Sequence, residues 1–396
     1  MQQGGEVTKQ LVPWLIFGAT THFLWKFIQR KEFNQSTAIP VELFPASHQR
    51  IQRSVDWTDE DGSERTKVVV RVPATSANFG PGFDCVGIAL DMWSELTVER
   101  SDKFEIICEG EGADDIPRDE TNLVCFALAS AFKKAGKSVP LLRYKLVNRI
   151  PYARGLGSSS AAIVSGLIAG LVLAGHRVEA WGSEELLNMA AEIEGHPDNV
   201  APAIYGGIQL GIHDGTRWRT QRVNIPPGIQ CVCFIPSFIG KTSTARGVLP
   251  ESIPRKDAIF NIGRVAWLVN ALASSNLDQL RFGCEDALHQ PQRAKALYPH
   301  LIPLINAAVA AGANACFLSG AGPTVLALTS GAAGDIFTQR NKERVDRQVA
   351  EAMLAAAKQC DIKGQAYITS PVEHGAYVVS AEPAFSNRLV RYSGDV

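Results

Sequence analysis

The segment Pro151-Tyr-Ala-Arg-Gly-Leu-Gly-Ser-Ser-Ser-Ala-Ala162 joins a strand-like stretch to a stretch with the character of a buried helix. Residues 141–150 alternate before it, and residues 161–174 after it are apolar and rich in small side chains. Gly155 and Gly157 permit backbone angles that other residues resist, so the chain can wrap closely around an anion. The free amides and the positive dipole end of the following helix favour a phosphate at this point.

Three serines at the start of the helix extend this hypothesis. Ser158, Ser159 and Ser160 offer hydroxyl groups that can cap the helix or reach a phosphate or a magnesium ion. No Gly-Lys-Ser/Thr follows, so the segment is not a Walker A loop. The alternative is an ordinary strand-to-helix turn with a serine cap, and the segment alone does not decide between the two.

The amino-acid composition is typical of a soluble enzyme. The 396 residues leave room for two domains, and a hydrophobic content of 46% can fill their cores. A net charge of -1 indicates no basic face for nucleic acid. The eight cysteines are scattered without zinc-site spacing, which favours reduced thiols and a cytoplasmic location.

The first 66 residues differ from the remainder and are treated as an extension of unknown role. Residues 11–28 are apolar, but Pro13, His22 and Lys26 interrupt them, and about 20 predominantly apolar residues are needed to span a membrane. Stable membrane insertion is therefore not expected. A targeting segment for an organelle, a loosely packed extension and an artefact of gene annotation all remain open. The apolar stretch 161–174 is short for a span and is better explained as a buried helix.

Strand and helix patterns intermix from Lys67 onward. Without a regular βαβ repeat they predict two α+β domains, residues 67–228 and 229–396, divided after Pro226-Pro227-Gly228. The predicted strands are 67–73, 87–99, 104–109, 141–150, 206–212, 217–223, 230–235, a strand–turn–strand unit at 315–328, and 375–380. The predicted helices are 123–135, 161–174, 183–194, several within 257–311, and 345–359.

Two loops carry polar groups in apolar surroundings. Asn78 and Asp84 belong to a Gly/Pro-rich loop, where the carboxylate could bind a substrate ammonium or only stabilise a turn. Glu192 lies on a predicted helix that Gly195 and Pro197 end, near His196, Asp198 and Asn199. A carboxylate here could complete a magnesium shell with a serine and nucleotide phosphates. A helix end with polar residues is the alternative.

Two arginines and a glycine turn complete the candidate features. Arg246 in Lys-Thr-Ser-Thr-Ala-Arg and Arg293 in Gln-Pro-Gln-Arg could each grip a carboxylate with two parallel hydrogen bonds. Either arginine alone would be an ordinary surface residue. Ser319-Gly-Ala-Gly-Pro323 is either a hairpin connection or a loop that closes over a site.

Together these motifs resemble one family from Lys67 to the C-terminus. The order is SANFGPGFD (76–84), PYARGLGSSSAA (151–162), EGHPDNVAPAIYGG (194–207), KTSTAR (241–246), QPQR (290–293) and CFLSGAGPT (316–324). This order resembles the homoserine kinases of the GHMP small-molecule kinase superfamily. The glycine–serine loop and the last motif indicate only the superfamily, whereas the other pairings point to homoserine.

The resemblance implies a fold and an activity. The fold would be α+β with two domains, the N-terminal one ribosomal-protein-S5-like and the C-terminal one ferredoxin-like. The activity would be ATP-dependent transfer of a phosphoryl group to the side-chain hydroxyl of L-homoserine, in threonine biosynthesis. ATP and Mg2+ would be the cofactors, and a homodimer is left open. The open alternatives are another GHMP small-molecule kinase and a non-catalytic ligand-binding homologue.

The resemblance also implies roles for individual residues. Ser159 and Glu192 would hold magnesium. Asp84 would bind the substrate ammonium, and Arg246 and Arg293 its carboxylate. The residues that would hold ATP are Pro151, Tyr152, Ala153, Arg154, Gly155, Leu156, Gly157, Ser158, Ser159, Ser160 and Ala161. The residues that would line the amino-acid pocket are Asn78, Asp84, His196, Thr242, Arg246 and Arg293.

The resemblance also implies candidate catalytic residues. Asn199 and Arg246 are the candidate catalytic residues. Asn199 stands where sugar and mevalonate kinases of the superfamily have a basic aspartate, and an amide cannot accept the proton usefully. Asp198 is its neighbour, so either residue could occupy this position. We therefore expect direct attack of the hydroxyl on the γ-phosphate without a dedicated base.

Overall fold

The computed structural model describes residues 65–176, 184–330 and 344–385. All of them belong to one compact unit. The predictions for residues 1–64, including the apolar stretch 11–28, lie outside the described residues. The described chain forms two β-sheets with helices packed against them.

The strands, in chain order, alternate with helices in both halves of the chain. They are β1 Lys67–Ala77, β2 Val86–Arg100, β3 Glu105–Gly110, β4 Leu142–Asn148, β5 Ile208–His213, β6 Trp218–Val223, β7 Gln230–Pro236, β8 Ala315–Leu318, β9 Val325–Thr329, β10 Gly364–Thr369 and β11 Tyr377–Glu382. The first sheet has the order β11-β1-β2-β4-β3, and β2 also pairs with β5, which pairs with β6. The second sheet has the order β10-β7-β9-β8.

The helices are mostly short and fall between these strands. They are α1 Leu123–Lys134, α2 Ser158–Leu173, α3 Glu184–Glu194, α4 Pro197–Tyr205, α5 Thr242–Gly247, α6 Arg255–Ala273, α7 Leu280–Gly283, α8 Gln290–Ala296, α9 Leu301–Ala310 and α10 Val345–Gln359.

Strand β2 contributes to two different parts of the first sheet. Its register with β1 jumps from Pro73–Trp93 to Ala74–Leu90, which leaves Asp91 and Met92 unpaired with β1. Before this bulge β2 pairs with β5, and after it β2 pairs with β4. A bulge bends a strand and re-aims its side chains, and here it separates the two halves of the sheet.

Helix α2 is almost completely buried, as predicted for the apolar stretch that follows the glycine loop. Its Gly166 and Gly170 allow α1 to approach closely, because an added Cβ would lie 2.6 Å from the Val124 carbonyl oxygen and 2.7 Å from that of Leu128. The helix is therefore a core element that fixes the loop before it. No helix of the described residues is long and apolar enough to cross a membrane.

A second core lies between the second sheet and helices α9 and α10. Val232 and Phe234 of β7 pack with Leu304 of α9 and with Val349 and Met353 of α10, all fully buried. Burying such a side chain contributes about 1.5–3 kcal/mol. This core supports the hairpin of β8 and β9, and the turn of that hairpin contacts the glycine loop before α2.

Most predicted elements are present within a few residues of their expected bounds. Strand β10 and helices α4 and α5 were not predicted as separate elements. Pro197 starts α4 at its first position, where the missing amide hydrogen costs nothing, and does not only end the helix before it. The predicted division at residues 228 and 229 falls between the two sheets, but β11 returns to pair with β1. The domain boundary stays a prediction.

Candidate active site

The glycine loop before α2 has the conformation that the sequence predicts. Gly155 and Gly157 have φ angles of 78° and 74°, in the left-handed region that favours glycine. A Cβ on Gly155 would lie 2.3 Å from the Ser319 carbonyl oxygen, and one on Gly157 would lie 2.0 Å from Thr75 Oγ1. Both positions therefore exclude any side chain, and the loop is held between β1 and the 319–323 turn.

The start of α2 is open for an anion. Gly157 is the N-cap residue, and no side chain caps the helix. The serine cap that the sequence left open as an alternative is therefore not formed at this helix. Because the first amides of a 16-residue helix point outward without a side-chain acceptor, this end can bind a phosphate.

The loop serines contact a carboxylate from the next helix, but it belongs to Glu194. Ser159 Oγ donates to Glu194 Oε2 at 3.1 Å, and Ser160 Oγ donates to Oε1 at 2.9 Å. Glu194 is the last residue of α3 and is half-buried. Two serine hydroxyls and a carboxylate beside a phosphate site are the oxygen ligands that Mg2+ prefers.

The structure does not bring Glu192, the expected metal ligand, to the loop. Glu192 is exposed and faces Lys134, whose pKa is raised chiefly by a hydrogen bond to Glu185 and to a lesser extent by the charge of Glu192. Residues two apart lie on opposite sides of a helix, so only one of the two glutamates can face the loop. Glu194 shares the face of buried Leu187 and Ala191, a pattern that the sequence contains.

Asp84 and Arg246 are paired in the amino-acid part of the site. Arg246 donates to both oxygens of the Asp84 carboxylate, at 3.0 and 2.6 Å. The hydrogen bond to Asp84 raises the pKa of Arg246, against the opposing effect of burial. Asn78 fixes the loop backbone that carries this carboxylate, because its Oδ1 accepts from the Asp84 backbone amide at 3.0 Å while its Nδ2 donates to the Gly320 carbonyl at 2.8 Å.

Arg293 is a buried cation that lines the same cavity. It is 1% exposed, and its guanidinium donates to the carbonyls of Ala245 at 3.0 Å and Gly320 at 3.1 Å. Within residues 65–176, 184–330 and 344–385, no carboxylate forms an ion pair with it. Burial lowers the pKa of Arg293 to about 10, and the guanidinium remains charged at neutral pH. Such a charge is an available partner for an anionic group of a ligand.

His289 fixes Arg293 from the other side. Its Nε2 contacts the Gly80 carbonyl at 2.8 Å, which requires that nitrogen to donate, and its Nδ1 faces the Arg293 guanidinium at 3.2 Å, which requires that nitrogen to accept. The ring is therefore the neutral Nε2–H tautomer. Burial lowers the pKa of His289, in agreement with this assignment. Sequence reasoning missed His289 because the Gly80 carbonyl that it contacts lies 209 positions away in the chain.

The two candidates for the superfamily base lie in different surroundings. Asp198 is 1% exposed and forms a short hydrogen bond with His196 Nδ1, while its other oxygen has no hydrogen-bond partner within the described part of the chain. Asn199 Oδ1 accepts from Thr75 Oγ1 at 2.8 Å, next to Gly157. Asn199 thus lies nearer to the start of α2, and Asp198 lies on the amino-acid side.

The charges around His196 act together. Burial opposes the charged imidazole, but the hydrogen bond and charge of Asp198, with the charges of Asp84 and Glu194, raise the pKa of His196. One ligand atom each of Asp84, His196 and Asp198 lie within 4.8 Å of one another. This cluster of two carboxylates and an imidazole can hold a small cation, including an ammonium group.

One cavity of about 500 Å3 connects the loop to these residues. All six expected amino-acid contacts line it: Asn78, Asp84, His196, Thr242, Arg246 and Arg293. Its apolar end is formed by residues that the sequence did not suggest, Leu96, Ile116, Pro117, Leu146 and Val147, with Tyr152. These residues come from four separate stretches of the chain, so no single sequence motif could predict this apolar end of the cavity.

Not every residue of the expected ATP loop faces the cavity. Leu156 is fully buried in the core, and Ser160 is buried but reaches Glu194. Arg154 points away from it, donating to Glu111 Oε2 at 2.9 Å and to the Ser237 carbonyl at 3.2 Å. Pro151 and Arg154 line a different cavity. Tyr152, Ala153, Gly155, Gly157, Ser158, Ser159 and Ala161 line the cavity as expected.

The 319–323 turn combines both roles left open for it. It connects β8 and β9 as an antiparallel hairpin. Ser319 Oγ also contacts the Gly155 carbonyl at 2.6 Å, and the Gly320 amide donates to the Ala77 carbonyl at 3.0 Å. The turn therefore braces the glycine loop and lines the site.

A glycine loop that opens a buried helix, with serines and a carboxylate beside it, defines a small-molecule kinase of the GHMP type. Residues 122–207 match the model of the GHMP kinases N terminal domain, and residues 261–356 match that of the GHMP kinases C terminal domain. The chain is 42% identical to the homoserine kinase of Moorella thermoacetica over 78% of this chain and 99% of that protein. It is 40% identical to the homoserine kinase of Desulfitobacterium hafniense, over 79% of this chain and all of that protein.

A solved structure agrees with these sequence matches. The crystal structure of homoserine kinase from Cytophaga hutchinsonii superposes with a TM-score of 0.70 at 28% identity, covering 80% of this chain and 98% of that one. The chain belongs to the homoserine kinases, a family of the GHMP kinases. The family, the two-domain α+β architecture and the kinase activity expected from the sequence are confirmed.

Proposed function

We propose that this chain transfers the γ-phosphoryl group of ATP to the side-chain hydroxyl of L-homoserine, yielding O-phospho-L-homoserine in threonine biosynthesis. The observation that carries the proposal is a single cavity with an open helix N-terminus near paired Asp84 and Arg246 and buried Arg293. One end suits a phosphate and the other a zwitterionic amino acid.

ATP binds with its phosphates at the start of α2. The amides of the glycine loop and first helical turn face the phosphates, and the apolar end of the cavity, with Leu96, Ile116 and Tyr152, takes the base. Lys241 also lines the cavity, is exposed, and adds a positive charge.

Ser159 and Glu194 would hold Mg2+. Glu194 replaces Glu192 in this role because its carboxylate contacts both loop hydroxyls. When bound, the ion supplies charge neutralisation at the β- and γ-phosphates. Ser160, buried behind Ser159, orients the carboxylate through Oε1.

The amino acid binds by exchanging partners with the Asp84–Arg246 pair. In the free protein these two side chains neutralise each other. The substrate ammonium takes the place of Arg246 on Asp84, and the substrate carboxylate takes the place of Asp84 on Arg246 and reaches Arg293. Because the substrate is itself a zwitterion, the exchange buries no net charge, which would otherwise be costly.

The hydroxyl then attacks the γ-phosphate without a protein base, and its proton passes to a phosphate oxygen. Asn199 carries an amide, and its oxygen already accepts from Thr75. Asp198 binds His196 through one carboxylate oxygen, and its charge helps to raise the pKa of that imidazole. Alignment of the two reactants supplies most of the acceleration, since a loose transition state requires little help from a base.

The absence of a base has a direct test. Asn199→Ala should lower kcat by less than about 100-fold, because a general base is worth about 10²–10⁴-fold. A larger loss that Asn199→Asp restores would overturn direct attack. Asp198→Asn should mainly raise KM for homoserine, and kcat should change less.

The proposed activity is tested by coupled ADP release from purified protein with ATP and magnesium. L-Homoserine should stimulate release, with O-phospho-L-homoserine as the product, and L-serine, L-threonine and mevalonate should not. Preference for mevalonate would indicate another kinase of the superfamily. No stimulation from folded protein that still binds ATP would indicate a ligand-binding homologue.

A homodimer and a cytoplasmic location are the proposed assembly and compartment. Light scattering across protein concentrations tests the dimer. Fusing residues 1–66 to a fluorescent protein tests whether they direct it to an organelle.

A further inference from the structure

A second cavity of about 620 Å3 lies behind the glycine loop. It is bounded by the bulged part of β2, the segment before the loop, and the ends of β7, β10 and β11. None of its lining residues has a role in the proposed reaction, except that Pro151 and Arg154 belong to the loop segment.

The cavity concentrates arginine side chains. Arg71 donates to Glu95 at 2.7 Å, and Arg154 donates to Glu111 at 2.9 Å and to the Ser237 carbonyl at 3.2 Å. Arg154 Nε is buried and has no hydrogen-bond partner among the described residues. Arg149 is exposed, and its side chain forms neither a hydrogen bond nor an ion pair with any residue that the structure describes. Asp91 and Glu111 also line the cavity, but the Arg149 guanidinium and Arg154 Nε, which these carboxylates do not engage, favour a carboxylate or phosphate.

Aromatic rings form another wall of the same cavity. Trp93 and Tyr377 pack edge to face with their ring centroids 5.7 Å apart. Trp93 is held by a hydrogen bond from Nε1 to Asp91 Oδ1 at 2.7 Å, and both residues lie at the bulge in β2. A flat or apolar group can therefore pack on an oriented ring while its anionic group meets Arg149.

The two cavities share one wall, the segment from residue 148 to residue 155. Asn148 and Gly155 line the active-site cavity, whereas Arg149 and Arg154 line the second one. Glu111 links the two sides, because its carboxylate holds Arg154 and its carbonyl accepts from Asn148 Nδ2 at 2.8 Å. An anion that draws Arg154 from Glu111 would therefore shift the backbone next to Gly155.

From this arrangement we infer that the second cavity is an effector site. It binds a small organic anion with a flat or apolar portion, and occupancy changes the affinity of the active site for ATP through Arg154. Coupling free energies between sites commonly correspond to changes of about 5–150-fold, so we expect a change of at least about fivefold in KM for ATP.

Phenyl phosphate is the probe, because it joins a doubly charged anion to a flat ring. Protein labelled with 5-fluorotryptophan, and saturated with magnesium and a non-hydrolysable ATP analogue, is titrated by fluorine NMR. Trp93→Phe assigns the Trp93 resonance. The resonance should shift saturably with phenyl phosphate, more weakly with inorganic phosphate, and not with phenol.

Matched arginine variants separate this site from the active site. Arg149→Met should abolish the shift and the change in KM for ATP while leaving the basal rate unchanged. Arg255→Met, at an exposed arginine that lines neither cavity, should retain both. If phenyl phosphate instead competed with ATP at the active site, its effect on KM for ATP would persist in Arg149→Met. That result would overturn the proposal.

Other outcomes are equally decisive. No saturable shift of the Trp93 resonance would overturn the site, and binding without a change in KM for ATP would overturn the coupling. If the chemical shift of the Trp93 resonance changed with protein concentration but not with phenyl phosphate, the cavity would be a contact with a second copy of the chain, and the effector site would be overturned. The NMR titration needs no turnover, so it stands even if homoserine is not the substrate.

Discussion

The Asp84 carboxylate receives two hydrogen bonds from the Arg246 guanidinium, although the two residues are 162 positions apart in the chain. Asp84 has a φ of 57°, and Asn78 holds it in place through the Asp84 amide. The loop after β1 therefore presents its carboxylate to the helix that carries Arg246. This pair prepares opposite charges for the two ends of an amino acid.

Replacing Arg246 by lysine should impair use of homoserine more than use of ATP. Lysine keeps the charge but cannot form two parallel hydrogen bonds with a carboxylate. Because the pair is partly exposed, we expect a loss of about 2 kcal/mol, or roughly 30-fold in kcat/KM for homoserine. Steady-state kinetics of Arg246→Lys, with Arg281→Lys as an exposed control, measure this. Equal kcat/KM in wild type and Arg246→Lys would refute the carboxylate contact.

The two glutamates at the end of α3 form a matched pair for the metal role. Glu194→Gln removes a charge that contacts both loop serines, so the magnesium concentration for half-maximal rate should rise by about tenfold or more. Glu192→Gln removes a charge from the exposed face and should change little. Titration of activity with magnesium compares them, and the reverse result would restore Glu192 as the ligand.

Gly157 should tolerate no side chain. Alanine there incurs the left-handed backbone cost of about 1–2 kcal/mol and a clash with Thr75 Oγ1 at 2.0 Å, which adds about 1–3 kcal/mol. Gly136→Ala is the control, because Gly136 has a similar φ of 68° but nothing within 4 Å of an added Cβ. Urea unfolding should show a larger loss for Gly157→Ala, together with weaker ATP binding. Equal losses in the free energy of unfolding for the two variants would mean that the surroundings of Gly157 adjust to an added Cβ without cost.

Protonation of His289 should destabilise the fold at mildly acidic pH. Burial lowers the pKa of His289 in the folded protein, so the unfolded chain binds the proton more readily. The associated stability is fully present above the ordinary pKa of about 6.5 and is lost as pH falls toward the folded value. His300, whose pKa is also lowered by burial, acts in the same direction.

The measurement is the urea midpoint between pH 7.5 and pH 5.5. His289→Gln should reduce the fall in the midpoint on acidification, and His213→Gln, at an exposed histidine, should not. If the fall is the same in all three proteins, His289 does not govern the acid sensitivity.

Local patterns in the sequence were sufficient for much of the fold. The glycine spacing predicted the positive φ angles at Gly155 and Gly157, and the small residues of α2 predicted its burial. These predictions succeed because each depends on the conformation of a few consecutive residues. The six residues that the family resemblance implies for the amino-acid pocket also line the cavity.

The remaining features depend on contacts between distant parts of the chain. Which glutamate reaches the loop serines depends on which face of α3 meets α2, and the structure places Glu194, not the predicted Glu192, against Ser159. The pairing of Asp84 with Arg246, and the contact of His289 with the Gly80 carbonyl, join parts of the chain that are far apart in sequence. The apolar end of the cavity likewise forms only when separate strands and loops meet.

We propose that the cavity recognises both charged ends of an amino acid that carries a hydroxyl group. Steady-state kinetics can compare kcat/KM for L-homoserine with that for 4-hydroxybutyrate, which lacks the ammonium, and for 2-amino-1,4-butanediol, which lacks the carboxylate. We expect kcat/KM to fall by at least about 100-fold for each analogue, because Asp84 or the two arginines are left without a partner. Equal use of either analogue would contradict recognition by Asp84 or by Arg246 and Arg293.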